Sequence, residues 1–365
     1  MLRCAFVGCG GVAERYWPIY RSLDFVQVSF CIDIDLPMAE KAAAYFKKDG
    51  IPATVTADFQ TALEPAVDIV VLNTPNHMHR EQAVAALAAG KHVLLQKPIA
   101  ATLDDAVAIV EASNRGRGRC GIYMSYLDQP LMHDLARMLR EGWFGDPVKL
   151  CGRVMHPGGL AWSARAQQGG RIWRGSVEQT GGGGFVQLGV HLIHLFQWMT
   201  GRSVTHVYGV TRNLHCPNLE GEDSASAILE LEGGITATLD HAWSARGEEL
   251  SIHGTKGSAT YVSNRWLLLE AGAAPFTGMV LRANAKLEQL LEIPALSMGD
   301  NQPLNQHRMF LEAIRDRKEL PVPVAAGLAD MVVVRGFYES AGTRARVDLK
   351  DLQARLGIRS MEVPA

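Results

Sequence analysis

The chain has no long apolar run, no marked excess of either charge and no CxxC pair, and each absence removes a class of function. No stretch approaches the ~20 consecutive apolar residues that a membrane span needs. Lysine and arginine number 36 against 38 aspartates and glutamates, a formal net charge of −2, so nothing marks a duplex phosphate backbone as the main partner. The six cysteines (Cys4, Cys9, Cys31, Cys120, Cys151, Cys216) sit mostly in apolar runs, which fits reduced thiols and a cytoplasmic protein. Met1-Leu2-Arg3 leads directly into an apolar segment with no AxA-type cleavage site behind it, so no secretory leader is expected. Internal repeats and low-complexity segments are also lacking.

What the chain does have is length and apolar content. Its 365 residues, 47% hydrophobic and 20% charged, amount to two domains at roughly 150 residues each. The first third alternates short apolar runs with helical patterns. The runs Leu2–Val7, Val26–Ile32, Val67–Asn73 and His92–Leu95 lack polar alternation, as strands covered on both faces require. Between them lie helical stretches, one running from the glycine turn to about Leu23, another from Leu36 to a stop at Gly50-Ile51-Pro52, and a third over Gln82–Ala89. This rhythm predicts a doubly wound parallel α/β (Rossmann) domain over residues 1–123.

From residue 124 to 365 the texture changes. Strand-like segments follow one another at Val148–Val154, Val204–Thr211, Ser224–Leu231, Ile235–Asp240, Leu250–His253 and Ser258–Val262. Glu232-Gly233-Gly234 and Gly254-Thr255-Lys256-Gly257 read as hairpin turns, so the second domain is expected to be α+β with a mostly antiparallel sheet. Two helices, near Gln306–Arg317 and Leu328–Ala341, follow the sheet.

Three segments carry chemistry. Gly8-Cys9-Gly10-Gly11-Val12-Ala13 ends a strand and opens a helix, a turn whose glycines let the backbone approach a pyrophosphate. Asp33 ends the next strand about 20 residues beyond Ala13, the spacing at which a carboxylate reaches a ribose diol. An acid there repels a 2′-phosphate, so NAD is favoured over NADP; Asp35 is close enough to share the role. Thr74-Pro75-Asn76-His77-Met78-His79 and Gln96-Lys97-Pro98 close later strands, where open α/β sheets bind ligands. The cofactor-binding set is therefore Gly8, Gly10, Gly11, Val12, Asp33, Thr74, Asn76, His79, Gln96 and Lys97.

The third segment is the apolar helix expected over Gln187–Met199. At ~100° per residue, Gln187, His191 and His194 fall within an arc of about 60°. A polar stripe on an otherwise hydrophobic helix must be satisfied by partners or face a cleft. Gly181–Gly184, just upstream, is expected to give a ligand close access to backbone. The spacing of His191 and His194 could also serve a metal, but no nearby cysteine or acid completes a ligand set, so no metal is expected.

Taken in order, Gly8-Cys9-Gly10-Gly11, Thr74-Pro75-Asn76-His77-Met78-His79, Ala89-Gly90-Lys91-His92-Val93, Gln96-Lys97-Pro98, Gly182-Gly183-Gly184 with Gly189-Val190-His191, Ile252-His253-Gly254-Thr255-Lys256-Gly257 and Tyr338-Glu339-Ser340-Ala341 resemble the glucose–fructose oxidoreductase / inositol dehydrogenase / MocA family over nearly the whole chain. The resemblance implies a Rossmann domain followed by a domain built on a large open sheet. It also implies NAD(P)-dependent hydride transfer to or from a secondary alcohol of a sugar, cyclitol or related polyol, in homodimers or homotetramers assembled through that sheet. The family's lysine in its Glu-Lys-Pro motif maps to Lys97, and its helix histidine to His191.

Three positions depart from the family pattern. Gln96 replaces a glutamate, Gln187 stands where an aspartate is common, and His194 stands where an acid is frequent. The expected mechanism places the substrate hydroxyl between Lys97 and His191. His191 takes its proton, Lys97 donates a hydrogen bond to the developing alkoxide, and Gln187 orients His191. His194, Trp173, Arg174 and Tyr126 are the expected substrate contacts, with Trp162 and Arg171 as further candidates. Two other readings stay open: an NAD-retaining lyase or glycoside-cleaving enzyme that works by transient oxidation, and a catalytically silent nucleotide-sensing regulator.

Overall fold

The computed structural model describes residues 1–47, 53–170, 172–262, 266–271, 276–281 and 305–358, with 266–271 and 276–281 described by their backbone only. The helix stop expected at Gly50-Ile51-Pro52 and the candidate Arg171 lie outside these residues. The chain divides into two compact units, Met1–Ser125 with Asn305–Leu328, and Tyr126–Leu304 with Ala329–Ala365.

The first unit opens with β1 (Leu2–Val7), whose last four residues are buried. The single helix expected after the glycine turn is two short ones, α1 (Gly11–Glu14) and α2 (Trp17–Ser22). Pro18, in the first turn of α2, has no N–H to continue an α1 ladder, so the chain restarts there. There follow β2 (Val26–Ile32), α3 (Leu36–Phe46), β3 (Thr54–Thr56), β4 (Ile69–Leu72), α4 (His79–Ala88), β5 (His92–Leu95), α5 (Leu103–Arg115) and β6 (Cys120–Ile122). The six strands form one sheet in the order β3-β2-β1-β4-β5-β6, every pair parallel. The order reverses between β1 and β4, the switch point where such sheets bind ligands.

In the second unit, α6 (Pro130–Arg140) leads into β7 (Pro147–Met155) and α7 (Gly158–Gln167). The one-turn α8 (Val177–Thr180) and then α9 (Val190–Thr200) precede the main run of strands. These are β8 (Val204–Arg212), β9 (Ser224–Leu231), β10 (Thr236–Ala242), β11 (Gly247–Gly254), β12 (Gly257–Val262), β13 (Trp266–Ala271) and β14 (Phe276–Leu281). After residue 304 come α10 (Gln306–Arg315), α11 (Val324–Thr343), β15 (Val347–Asp348) and α12 (Leu349–Arg355). Among the described residues the second sheet has nine strands, β14-β13-β12-β11-β7-β10-β9-β8-β15, antiparallel except for β7 with β10. The hairpins at Glu232–Gly234 and around Thr255-Lys256 join antiparallel pairs, as the turn residues required. One face of this sheet is covered by α9, so closely that a Cβ on Gly152 of β7 would lie 2.8 Å from Leu192.

A single cut at 123/124 does not describe the chain. Asn305–Leu328 belongs with the first unit, because Phe310, Leu311 and Ile314 of α10 enter the same core as Phe6, Tyr20 and Ile69. The Ile122 N–H also donates to the Val322 carbonyl at 3.0 Å. Among the described residues no helix is long and apolar enough to cross a membrane.

Candidate active site

In the first unit the expected cofactor residues stand at the carboxyl ends of β1, β2, β4 and β5. Gly8 has φ +84°, and a Cβ there would lie 2.8 Å from the backbone of Asn73, so no other residue fits the turn. Gly10 caps α1, Gly11 opens it and Val12 follows, half-buried. A Cβ on Gly10 or Gly11 would meet nothing within 4 Å. The turn thus presents bare backbone to open space, a cradle of the kind a pyrophosphate requires.

Asp33 is tied to this turn. Its carboxylate accepts the Cys9 N–H at 2.7 Å and the Asp35 N–H at 2.9 Å, leaving acceptor positions for a diol. Asp35 contributes its backbone N–H to this arrangement, while its side chain is exposed.

At the ends of β4 and β5, Thr74 Oγ1 donates to Gln82 at 2.6 Å, and Asn76 is buried. His79 is fully buried: its Nδ1 lies 3.1 and 3.2 Å from the carbonyl oxygens of Pro98 and Ile99, and its Nε2 2.9 Å from that of Thr74. Burial lowers its pKa against the pull of those carbonyls. With both nitrogens turned to backbone, His79 ties the two loops together and is corrected from a cofactor contact to a support. Gln96 accepts the Lys97 N–H at 3.0 Å and donates to the Tyr16 hydroxyl at 3.3 Å, which fixes the start of the Lys97-Pro98 segment, a cis peptide in which Lys97 is half-buried and Pro98 buried. Tyr16, which no local pattern marked, stacks on His307 with ring centroids 3.9 Å apart.

In the second unit, the helix that carries the polar stripe is not α-helical throughout. Phe185–Gly189 is a π turn and α9 begins at Val190. The wider turn shifts Gln187 away from the angle that a 3.6-residue period assigns it relative to His191. Gln187 and His191 are both buried, and the Tyr126 ring meets the His191 ring edge-on, centroids 5.9 Å apart. The Tyr126 hydroxyl donates to Glu248 at 2.6 Å; burial, with that carboxylate beside it, raises the phenol's pKa well above the ordinary value.

His194 is buried as well. Its Nδ1 lies 2.9 Å from the buried Asp330 carboxylate, which also accepts from Gln197 at 3.0 Å, and its Nε2 is buried without a protein partner. Through Nδ1 it ties α9 to α11. Burial raises the pKa of Asp330, and the contacts with His194 and Gln197 oppose that rise. The Arg174 guanidinium lies 4.2 Å from the Trp173 ring centroid and 5.5 Å from that of Trp162. At these distances the cation is attracted to the faces of both indoles.

The glycine run upstream of the helix is open on one side and packed on the other: Gly181 and Gly182 border a cavity of about 640 Å³ with Glu222, Arg335 and Tyr338, while three of the glycines press against neighbouring groups. A Cβ on Gly182 would stand 2.1 Å from the Tyr338 hydroxyl, one on Gly183 2.3 Å from the Glu222 backbone nitrogen, and one on Gly184 1.7 Å from His241 Nε2. The buried Glu222 carboxylate accepts from Phe185 N–H at 2.7 Å, Tyr338 hydroxyl at 2.9 Å and Gly183 N–H at 3.0 Å. Burial raises its pKa against those bonds. Glu222, His241 and Asp330 gave no local signal; Tyr338 did, within Tyr338-Glu339-Ser340-Ala341.

Comparison with known proteins places these features. Residues 2–123 match the model of the oxidoreductase family with an NAD-binding Rossmann fold, and residues 132–260 match the GFO/IDH/MocA C-terminal domain. Over 222 residues the chain is 29% identical to the 1,5-anhydro-D-fructose reductase of Ensifer adhaerens, covering 60% of this chain and 64% of that protein. It is 26% identical to the D-apiose dehydrogenase of Paraburkholderia graminis, covering 96% of this chain and 90% of that one. Levoglucosan dehydrogenase in complex with NADH shares the fold, with a TM-score of 0.79 at 21% identity over 95% of this chain and 99% of the other. With both of its domain models matched in order, the chain belongs to the GFO/IDH/MocA family of NAD-binding oxidoreductases.

Proposed function

We propose that the protein is a dehydrogenase or reductase that prefers NAD to NADP and interconverts a secondary alcohol of a sugar or polyol with its ketone. One observation carries the reading: a glycine turn with open space over Gly10 and Gly11, to which the Asp33 carboxylate is pinned through Cys9. Gly8, Gly10, Gly11 and Val12 hold the pyrophosphate and Asp33 the ribose diol, where an anion repels a 2′-phosphate. Thr74, Asn76, Gln96 and Lys97 border the rest of the cofactor. A bound nicotinamide supplies the hydride acceptor or donor.

The chain supplies the proton chemistry. His191 takes the hydroxyl proton, Gln187 orients it, and Lys97 donates a hydrogen bond to the same oxygen as charge builds there. Trp173, Arg174 and Tyr126 contact the sugar, the indole covering a ring face and the guanidinium meeting hydroxyls. The six free thiols suit a reducing, cytoplasmic setting. Tyr208 and Val210 of β8 and Ile228 of β9 stand exposed on the outer face of the second sheet, Tyr208 directly paired with Ile228, and this face is the proposed contact of a homodimer or homotetramer. Light scattering that finds a monomer at working concentration removes that part.

The deciding experiment is a screen of sugars and polyols with NAD and NADP, followed by absorbance of the reduced nicotinamide. On the substrate found, His191→Ala lowers kcat by about 10²–10⁴-fold and leaves NADH binding unchanged; wild-type turnover in that variant ends the assignment of His191. Equal affinity of the wild-type chain for the two nucleotides, by calorimetry, ends the preference for NAD.

A further inference from the structure

We infer that Glu248 is a specificity-determining residue whose carboxylate accepts a hydrogen bond from a substrate hydroxyl beside the reacting one, so that the site takes uncharged polyols and rejects sugar acids. The inference rests on the dehydrogenase reading above. Two adjacent acids stand near the start of β11, and the strand sorts them. Glu249 lies opposite Arg153 of β7, and their partly exposed side chains form an ion pair at 3.5 Å on one face of the sheet. Side chains alternate along a strand, so Glu248 goes to the other face with Leu250 and Ile252. That face carries α9: Leu250 pairs with Gly152, and a Cβ on Gly152 would stand 2.8 Å from Leu192.

The cover over this face stops at Glu248. Leu250 is 3% exposed and Ile252 is fully buried, whereas Glu248 is only half-buried. His191 marks the same place from the helix side. The Tyr126 ring meets the His191 ring edge-on, and the Tyr126 hydroxyl donates to Glu248 Oε1 at 2.6 Å. One phenol thus spans from the proposed base to the carboxylate. Burial keeps that phenol protonated, its one proton is committed to Glu248, and its oxygen can only accept from a ligand. The carboxylate likewise accepts and has no hydrogen bond to give. Beside His191 this edge therefore presents acceptors. A substrate hydroxyl donates to them, whereas a substrate carboxylate has no proton to offer and meets a like charge. Had Glu248 served only to satisfy the phenol, a neutral acceptor would do so at a lower desolvation cost.

The test uses the full chain with NAD and the alcohol found in the screen above. It adds that alcohol's monodeoxy analogues and the analogue that carries a carboxylate in place of one carbinol group. Glu248→Gln keeps the shape and an acceptor oxygen but loses the charge, and is expected to lower kcat/KM about 10-fold, mostly through KM. Its NADH affinity and apo melting temperature stay at the wild-type values. On one monodeoxy analogue wild type and Glu248→Gln become equal, because the hydroxyl that met the carboxylate is gone. The wild type prefers the neutral alcohol to its carboxylate analogue by about tenfold or more, and Glu248→Gln narrows that ratio. Unchanged kcat/KM in Glu248→Gln overturns the inference, and so does a wild type that is faster on the acid. A loss that is the same on every deoxy analogue, or that comes with a lowered melting temperature, also overturns it, since that is a structural role. A screen in which no alcohol reduces NAD fails the dehydrogenase reading itself, whereas wild-type turnover with an indifferent Glu248→Gln removes Glu248 alone.

Discussion

Two glycine-rich segments, Gly8–Gly11 in the first unit and Gly181–Gly184 in the second, look alike as sequence and do opposite work. Above Gly10 and Gly11 there is nothing within 4 Å of a would-be Cβ. Above Gly182, Gly183 and Gly184 there are Tyr338, Glu222 and His241 at 1.7 to 2.3 Å. The first segment leaves the backbone of Gly10 and Gly11 bare. The second gives up its side chains so that a buried carboxylate can gather the backbone N–H groups of Gly183 and Phe185 ahead of the helix that carries His191. A missing Cβ records close approach and does not say of what.

The sharpest way to break the comparison is Gly183→Ala. Its new methyl would press on the backbone nitrogen and oxygen of Glu222, at 2.3 and 2.4 Å, and backbone cannot rotate aside. The expected cost is roughly 3 kcal/mol or more in urea unfolding. A wild-type unfolding midpoint would mean that the run is only a spacer, and the contrast between the segments would be gone.

A smaller effect is expected from pH. His241, against which Gly184 packs, has its pKa pushed down to about 4 by burial, with the Val154 backbone and Asp223 pulling the other way. Its ordinary value is near 6.5, so between the two values the unfolded chain binds a proton that the folded chain refuses. The stability that neutral His241 contributes is whole above pH 6.5 and falls as the pH drops toward 4. At pH 5 the loss is about 2 kcal/mol relative to pH 7. His241→Gln should remove that share of the acid slope in urea titrations at the two pH values. His307, beside Tyr16 in the first unit and pushed down to about 3 by burial, retains its own share. An unchanged slope in His241→Gln would show that the second glycine segment does not enclose a neutral imidazole.

The same contrast explains what the sequence disclosed. The first unit was legible because its signals are local: each apolar run ends in the residues that stand at the carboxyl edge of the sheet, and Asp33 lies at a spacing set by one strand–helix–strand unit. Even there the split of α1 from α2 at Pro18 was missed, as was the return of Asn305–Leu328, because an amphipathic helix does not state whose core it joins. In the second unit the strands and hairpins were legible from their turn residues. The polar residues around the helix were not. Gly183 meets Glu222 across 39 residues and His194 meets Asp330 across 136. No periodicity spans such distances, so the Asp330 partner of His194 is not legible in the sequence. The π turn at Phe185–Gly189 also breaks the period on which the angular argument for Gln187 depended.

The gentlest test acts on the first segment and has the opposite sign in its two readouts. Gly11 is the first residue of α1, its φ is not in the left-handed region and its missing Cβ points into open space. Gly11→Ala should therefore leave the apo protein as stable as wild type or up to about 1 kcal/mol more stable, because alanine loses less backbone freedom in a helix. If the open space belongs to a pyrophosphate, the same methyl holds the phosphate off the backbone and weakens NADH binding about tenfold, roughly 1.4 kcal/mol. Gain in one measurement with loss in the other is a pattern that Gly183→Ala, which should lose stability outright, cannot produce. Gly11→Ala that binds NADH as tightly as wild type would make the space above the turn incidental, and the two glycine segments would no longer divide into one kept open for a ligand and one filled by the protein itself.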